Sequence, residues 1–491
     1  MSIVCPWSRA ALLASAAALA AGPMAAAATI TAFTANDLVI STVSGSTLDT
    51  AAPIVLQEFQ LGTGGTSATS VGTLTLPQTS NGANSAISGE YGSASEGFLQ
   101  QSVNGQYLTI MGYGVNATTF NTAPFSTYGA TGLGQTTSLT AANQTGTVYT
   151  TVPRVVALIG ADGSINTSTA LTGVFNTNNP RSVVTVDGSS FYVSGQGASK
   201  TDPTQGVFYA TLGATTATPI DNSTDTRAVE IVNTGSGNTL YVSRDQNPPG
   251  SGSQNFTNVS SLTGPGGGLP TSSAGLVTTH IIPPASPDSL GGNNGSINVT
   301  AATENGVNDS RLGKFVYLSP EQYFFASSTV LYVTDSGQPK NGNANAAALG
   351  EGGLQKWVLT NGVWTLDYDL TAGLNLVNNA NANANTPTAP GVTGLFGLTG
   401  EVVGGSVELF ATSYGLNELS PSYLYEITDS LAATSLPGNE SFTTLYAPDT
   451  TTDDVSIRGV AFAPAPEPAS MALLATGLAG LGLLRRRAMT A

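Results

Sequence analysis

Short apolar runs alternate with polar turns along most of this chain. Between Thr29 and Ala463, runs rich in Val, Ile, Tyr, Phe and Thr are separated by clusters of Gly, Asn, Asp, Ser and Pro, without a sustained helical period. The stretch Arg181 to Ser194 (RSVVTVDGSSFYVS) places two alternating runs on either side of an Asp-Gly dipeptide, which is typical of a β-hairpin. Arg227 to Ser243 (RAVEIVNTGSGNTLYVS) repeats this pattern. The sequence therefore predicts an all-β domain built from hairpins.

Further strand pairs follow at irregular spacing. Weaker copies of the first hairpin span Glu96 to Gly112, Phe324 to Thr334 and Gly394 to Thr412. Second strand pairs occur at Arg154 to Ile165, Gly206 to Ile220, Gly352 to Leu366 and Tyr423 to Tyr446. Each unit thus has four antiparallel strands. This organisation predicts a β-propeller, in which four-stranded blades surround a central channel.

The two ends of the pattern complete one another. Ile457 to Ala463 (IRGVAFA) is similar to a first strand, but no hairpin partner follows it. Asp37 to Ser44, Ile54 to Leu61 and Val71 to Leu76 are similar to a second, third and fourth strand. We therefore expect one blade to be shared between the chain ends. Such a blade closes the ring and leaves no sheet edge exposed for aggregation.

The pattern gives a count of six blades, with a seventh as an open alternative. The blades are the shared one and those near Glu96, Arg181, Arg227, Phe324 and Gly394. A further blade between Phe256 and Leu318 would make seven. An arrangement of two β-sandwich domains is the other alternative.

Both chain ends carry segments that lie outside this domain. Residues 1–28 have the basic start, apolar run and small-residue cleavage pattern of a secretory signal peptide. At the other end, Ala469 to Leu484 is an apolar stretch predicted to form a short membrane helix, a little short for a permanent span. Three arginines follow it and predict a cytoplasmic end. The predicted domains are therefore residues 1–28, 29–463 and 464–491.

The C-terminal segment resembles the PEP-CTERM sorting signal of Gram-negative bacteria. The similarity comprises three features in order: a Pro-Glu-Pro tripeptide, the predicted apolar helix and a basic end. The tripeptide is Pro466, Glu467 and Pro468, and the basic end is Arg485, Arg486 and Arg487. The resemblance implies handling by an exosortase, transient anchoring in the inner membrane, and delivery to the cell surface or an exopolysaccharide matrix. An ordinary C-terminal anchor without processing is the alternative.

The middle of the chain resembles uncharacterised secreted bacterial β-propeller proteins. The similarity consists of the repeated LYVS and LYVT strands, GGLQKW, GLTGEVVGGSVELFATS and the closing RGVAFAP. It implies a propeller fold for most of residues 29–463. It implies no activity.

Composition narrows the range of functions. Charged residues make up 9% of the chain, and residues 29–463 hold ten basic and twenty-nine acidic residues, a net charge of −19. Nucleic acid is therefore not an expected partner, because phosphate binding needs clustered Lys and Arg. Cys5, in the predicted signal peptide, is the only cysteine, so we expect neither disulfides nor thiolate metal sites. We expect no bound cofactor.

Catalytic chemistry has few candidates. His280 is the only histidine and therefore the only conventional base for a serine nucleophile, but no Gly-x-Ser-x-Gly motif accompanies it. The carboxylate pairs Asp367 with Asp369 and Glu401 with Glu408 are candidates for glycoside hydrolysis, which needs two acids on either side of a sugar bond. Solvated surface pairs are the simpler interpretation, so no catalytic residue is assigned.

Two acidic clusters are candidates for calcium. They are PDTTTDD, with Asp449, Asp453 and Asp454, and DNSTD, with Asp221 and Asp225. Neither has the spacing of a calcium loop, and a polar turn before a strand explains both. No metal ligand is assigned.

Three arginines are the candidate ligand-binding residues. Arg181, Arg227 and Arg458 each begin a predicted first strand, and first strands of a propeller lie beside the channel. Three guanidinium groups at one channel end would bind an anionic sugar or carboxylate. Alternatively, each orders a blade by binding a loop carbonyl or carboxylate. The chain is thus expected to be an exported, non-enzymatic binding or scaffolding propeller, with exopolysaccharide or another surface glycan as the candidate partner. A polysaccharide hydrolase or lyase is the alternative function.

Overall fold

Four-stranded antiparallel sheets follow one another along the chain. The structure, a computed structural model, describes residues 28–199, 201–233, 235, 237–244, 258–282, 296–298, 315–317, 319–337, 352–377, 391–415, 421–448 and 454–466. The predicted signal peptide and the sorting segment beyond residue 466 lie outside these residues. Within them, the strands form six blades of a β-propeller.

Blade 1 joins the two ends of the domain. Its strands, from first to fourth, are β28 (Asp454–Phe462), β1 (Leu38–Gly45), β3 (Val55–Leu61) and β4 (Ala68–Thr75). The antiparallel ladder between β1 and β28 pairs Leu38 with Phe462 and Gly45 with Asp454. The predicted split blade is therefore confirmed, and the ring is closed by strands from opposite ends of the sequence.

The other five blades are continuous in sequence. Blade 2 has β6 (Gln100–Gln101), β7 (Tyr107–Tyr113), β8 (Arg154–Gly160) and β9 (Ile165–Leu171), extended by β2 (Thr50–Pro53) and β5 (Ser88–Tyr91). Blade 3 has β10 (Pro180–Val184), β11 (Ser190–Gly195), β12 (Gly206–Thr211) and β13 (Thr218–Asp221). Blade 4 has β14 (Val229–Asn233), β15 (Asn238–Arg244), β16 (Asn258–Thr263) and β17 (Val277–Ile282). Blade 5 has β20 (Pro320–Ser327), β21 (Val330–Asp335), β22 (Gly353–Thr360) and β23 (Val363–Leu370). Blade 6 has β24 (Val392–Val403), β25 (Ser406–Gly415), β26 (Leu424–Ser430) and β27 (Thr443–Tyr446).

The region considered for a seventh blade belongs largely to blade 4. It contains β16 and β17, the third and fourth strands of that blade. Beyond them, β18 (Ser296–Asn298) and β19 (Phe315–Tyr317) form a two-stranded ladder of their own. The described residues therefore give six blades.

Helical structure in the described residues is confined to short connections. The insertion between β7 and β8 holds α1 (Ala117–Thr122), α2 (Phe125–Tyr128) and a 3₁₀ turn (Ala141–Asn143), and a second 3₁₀ turn spans Pro265–Gly267. The Asn116 side chain begins α1 by accepting a hydrogen bond from the N–H of Thr119 at 2.8 Å. No helix within the described residues is long and apolar enough to cross a membrane. The predicted helix Ala469 to Leu484 lies outside them.

The hydrophobic core lies between the blades. Successive side chains on a strand point to opposite faces of its sheet, so each blade presents an apolar face to both neighbours. On β11, Phe191 and Val193 pack toward blade 2, whereas Tyr192 packs toward blade 4. On β8, Val155 packs toward blade 1 and Val156 toward blade 3. Blades buried on both faces explain the short, nearly continuous apolar runs in the sequence.

A buried hydroxyl joins each blade to the next. On the second strand of every blade, a Ser or Thr hydroxyl donates a hydrogen bond to a backbone carbonyl at or just before the next blade's first strand. Donors and acceptors, in order around the ring, are Ser41 and Gly97, Thr109 and Val183, Ser194 and Arg227, Ser243 and Glu321, Thr334 and Phe396, and Thr412 and Arg458. All six hydroxyl-bearing residues are buried. We term this set the hydroxyl ring; it gives a physical reason for the Ser or Thr that ends the LYVS and LYVT strands.

Candidate functional site

Arg181 is held inside the ring by its own blade and the next. It is the second residue of β10, and its side chain is almost completely buried. One guanidinium nitrogen forms an ion pair with Asp225, and another donates to Gln196 Oε1 at 2.6 Å. Burial lowers the pKa of Arg181, while the Asp225 carboxylate opposes that shift. These contacts indicate that Arg181 orders the connection before blade 4.

Arg227 occupies a corresponding position one blade further on. It precedes β14, and its guanidinium lies 3.5 Å from the carboxylate of Glu321 on β20. The positive charge of Arg227 also acts on Arg181, lowering the pKa of Arg181. The structure therefore brings two of the three predicted arginines together across blades 3, 4 and 5. Asp225 and Glu321 accompany them, so the cluster carries both signs of charge.

Arg458 differs because it lines a pocket. The pocket lies between blade 6 and blade 1, and its wall includes Ala94, Phe396, Tyr414, Ser422, Ser456 and Arg458. A volume of about 20 Å³ is open to the centres of water molecules. That volume holds one or two water-sized groups, since a single water needs roughly 10–15 Å³ by this measure. The pocket can admit the tip of an anionic group but cannot enclose a sugar ring.

Glu96 and Glu90 are neighbouring buried carboxyl groups, and Glu96 lies within electrostatic range of Arg458. Glu96 Oε1 accepts from the backbone N–H of Glu90 at 2.6 Å, and its Oε2 accepts from the Tyr113 hydroxyl at 2.9 Å. Glu90 accepts from the N–H of Gly134 at 2.8 Å. Burial raises the pKa of both carboxyl groups, and their mutual repulsion raises that of Glu90 further. The positive charge of Arg458 acts in the opposite direction on Glu96.

A further buried arginine completes this group. The guanidinium of Arg154 lies over the Tyr113 ring, 4.7 Å from its centroid, and donates to the carbonyls of Thr136, Val152, Phe175 and Asn178. Burial lowers its pKa to about 10. Arg154, Glu90 and Glu96 were not among the site residues predicted from the sequence. No local pattern marks them, because their partners lie on other elements.

The two candidate carboxylate pairs lie on blades 5 and 6. Glu401 and Glu408 are directly opposite one another across the β24–β25 ladder, and Glu401 is exposed. Asp367 and Asp369 share β23, and Asp369 is buried. Burial raises the pKa of Asp367. Neither pair lies beside the pocket at Arg458.

His280 lies on β17, an outer strand of blade 4. Its Nδ1 is 2.7 Å from the hydroxyl oxygen of Ser260 on β16. Ser260 is completely buried, so a substrate cannot reach this hydroxyl without displacing the strands. Burial lowers the pKa of His280. The pair therefore has the geometry of a hydrogen bond that supports the sheet.

The calcium candidates in the described residues bind protein groups. Asp221 forms an ion pair with Arg244 at 2.6 Å and accepts hydrogen bonds from Ser223, and Asp225 pairs with Arg181. Asp454 begins β28, whereas Asp449 and Asp453 lie outside the described residues. Across the part of the chain that the structure describes, no group of three or more His, Cys, Asp or Glu residues is placed to hold a metal ion.

Comparison with known proteins identifies the C-terminal signal. Residues 464–487 match the PEP-CTERM protein-sorting motif, which confirms the predicted signal and indicates export with transient membrane anchoring. No curated protein matches the chain. The phage phi92 endosialidase aligns at 10% identity with a TM-score of 0.30, covering 82% of this chain and 59% of its own. An ancestral GH74 enzyme aligns at 10% identity with a TM-score of 0.24, covering 82% of this chain and 47% of its own. The chain thus spans about half the length of these structures, and similarity this low does not bear on activity.

Proposed function

We propose that this chain is an exported, non-enzymatic β-propeller that binds or scaffolds a component of the bacterial cell surface or exopolysaccharide matrix. The observation that carries the proposal is the position of the sorting motif. The last strand of the closed ring, β28, ends at Phe462, and the motif begins at residue 464. We propose that the sorting machinery is an exosortase. Because the motif follows the last strand, this machinery would handle the complete propeller as its cargo.

The pocket at Arg458 is the proposed ligand site. A guanidinium group binds a carboxylate through charge-assisted hydrogen bonds, and the hydroxyl-bearing residues Tyr414, Ser422 and Ser456 in the wall offer further polar contacts. The pocket size suits a carboxylate at the end of a side group better than a whole sugar. We therefore propose an acidic glycan of the matrix as the ligand. The net negative charge of the domain opposes its approach, so binding should be moderate in strength.

Arg181 and Arg227 have a different proposed role. Their guanidinium groups face Asp225 and Glu321, which supports the interpretation that they order the blades. Removing either one would leave a buried carboxylate without its counter-charge. The proposed ligand contact is assigned to Arg458 because its side chain lines the pocket.

A polysaccharide hydrolase or lyase is the second candidate. The observation that favours it is the Glu90–Glu96 pair, because a raised carboxyl pKa is typical of a general acid. However, both residues are at most 6% exposed, and their carboxyl groups already accept hydrogen bonds from the fold. A sugar could reach them only if the surrounding loops moved.

Binding to the host's own exopolysaccharide tests the proposal. The purified mature protein would be titrated with that polysaccharide by calorimetry, alongside the Arg458→Ala and Lys340→Ala variants. Loss of a charge-assisted hydrogen bond of about 1.5–3 kcal/mol should weaken binding by roughly 10- to 100-fold in Arg458→Ala. Lys340→Ala produces the same change in net charge and should bind normally. No binding by the folded wild type would overturn the proposal, and shortening of the polysaccharide would favour the hydrolase or lyase.

A further inference from the structure

A lysine and an aspartate are buried against each other between blades 5 and 6. Lys356 lies on β22 and Asp429 on β26, and both side chains are completely inaccessible to solvent. The distance between Lys356 Nζ and Asp429 Oδ2 is 3.0 Å. Burying two opposite charges costs much of what their attraction returns. A reaction that removes both charges would therefore be favoured here.

The surroundings fix the two reacting groups in place. The Tyr368 hydroxyl lies 2.7 Å and 2.8 Å from the two carboxylate oxygens of Asp429, and the Tyr332 hydroxyl also donates to this carboxylate. Lys356 Nζ donates to the carbonyls of Ser430 at 2.7 Å and Ala433 at 3.0 Å. The nitrogen is thereby held beside the carboxylate with little freedom to leave. Because the two groups are already held together, their condensation avoids the loss of translational and rotational entropy that an intermolecular reaction would incur.

A third carboxyl group lies beside the pair. Glu440, in the connection between β26 and β27, hydrogen-bonds to Asp429 and lies within electrostatic range of Lys356. Burial and the neighbouring Asp429 raise the pKa of Glu440 above its ordinary range. Glu440 is half-buried, so it connects the closed site to solvent. It is therefore placed to carry protons between the two reacting groups.

We propose that Lys356 and Asp429 condense to form an intramolecular amide bond, with Glu440 as the proton carrier. The ammonium first passes a proton to the Asp429 carboxylate, which gives a neutral amine and a carboxylic acid. The amine lone pair then attacks Cγ of Asp429. Glu440 accepts a proton from the nitrogen and returns one to the departing hydroxyl group. One C–N bond forms, one C–O bond breaks, and one water molecule leaves, without an oxidant or reductant.

The existing hydrogen-bond partners suit the product as well. The amide oxygen can still accept from Tyr332 and Tyr368, and the amide N–H can donate to the carbonyl of Ser430. The bond would join blade 5 covalently to blade 6. The chain holds no cysteine after Cys5, so a disulfide cannot supply such a link in the exported protein.

Trypsin digestion of the denatured full-length protein tests this bond. Residues 341–458 contain only two trypsin sites, after Lys356 and after Arg458. An amide on Lys356 blocks the first, so the proposal predicts one fragment spanning 341–458 whose mass is lower than that of the linear sequence by one water. Separate fragments of residues 341–356 and 357–458 would overturn the proposal.

Two variants assign the chemistry. Asp429→Ala should give the two separate fragments, and persistence of the uncleaved fragment would show that Lys356 is blocked in another way. Glu440→Gln should fold but leave most of the chain uncondensed. Complete condensation in Glu440→Gln would remove Glu440 from the mechanism. Tandem mass spectrometry of the wild-type fragment would locate the link at Asp429 and separate it from loss of water at another residue of the fragment.

Discussion

The hydroxyl of Ser41 accepts a hydrogen bond from the backbone N–H of Gly459 at 2.9 Å, across 418 residues of sequence. The same hydroxyl donates to the carbonyl of Gly97 at 2.8 Å. It therefore joins the N-terminal and C-terminal strands of blade 1 and connects both to blade 2. Glycine at position 459 also lets β28 lie close to the connection before β6, because a Cβ there would lie 2.1 Å from the backbone nitrogen of Leu99.

Replacing Ser41 with Ala should destabilise the ring. The change leaves a buried N–H and a buried carbonyl without this partner, which costs about 1–3 kcal/mol of unfolding free energy. Ser44→Ala on the same strand is the control, because Ser44 is exposed and its loss should cost less than about 0.5 kcal/mol. Denaturant unfolding measures both, and equal stabilities would show that the hydroxyl ring contributes little.

Removing the Arg181 guanidinium should lower the free energy of unfolding and leave the proposed ligand site intact. Arg181→Ala leaves Asp225 buried without this counter-charge, at a cost of about 3–5 kcal/mol. A double-mutant cycle with Asp225→Ala measures the coupling directly. If Arg181→Ala instead retained full stability and lost glycan binding, Arg181 would be a ligand contact.

Stability should fall as the pH rises toward 8 because of Glu230. This β14 residue has a buried Oε2 without a hydrogen-bond partner, and burial raises its pKa from 4.5 to about 8. The folded state therefore keeps a proton that the unfolded state loses above about pH 5, and the stability contribution decreases by up to about 1.4 kcal/mol per pH unit until pH 8. In Glu230→Gln this contribution should be lost and the slope should be shallower, while the buried carboxyl groups of Glu90, Glu96 and Glu440 still contribute to it.

Denaturant unfolding between pH 5 and pH 9 provides the comparison. Glu401→Gln is the matched control, since Glu401 is exposed on β24. It should retain the wild-type slope. If the stability of Glu230→Gln depended on pH in the same way as that of the wild type, Glu230 would not be a source of the pH dependence.

Changes in the sorting motif should redirect the protein without affecting its fold. Glu467→Ala, or neutral residues at Arg485, Arg486 and Arg487, removes part of the matched pattern. Cell fractionation should then find the protein retained in the membrane or misrouted, whereas Thr490→Ala should be exported normally. Unchanged export and processing in all variants would reduce the segment to an ordinary anchor.

Local sequence patterns predicted the blades well because hairpins are local structures. The Asp-Gly turn at Asp187 and the alternating residues around it correspond to β10 and β11. The unmatched strand near Arg458 correctly indicated a blade shared between the chain ends. The short helices after β7 were not predicted, since six residues of α1 are too few to produce a helical period.

The side-chain clusters were not predictable because they join distant elements. Lys356 and Asp429 lie on different blades, and nothing near either residue indicates the other. Glu90 and Glu96 flank a Gly- and Ser-rich turn that looks solvated in sequence, yet both are buried. Arg181 and Arg227 were candidate ligand contacts because of their positions beside first strands, but their acidic partners belong to a connection and to a neighbouring blade.

Closure of the ring is tested most directly by thermal unfolding of two truncated chains. One ends after Pro466 and retains β28, and the other ends after residue 453 and lacks it. Loss of β28 removes the β1 ladder and the Gly459 contact with Ser41, so the account predicts a single cooperative transition in the longer chain and none in the shorter one. Two chains that melt at the same temperature with the same enthalpy would contradict a ring closed by the terminal strands.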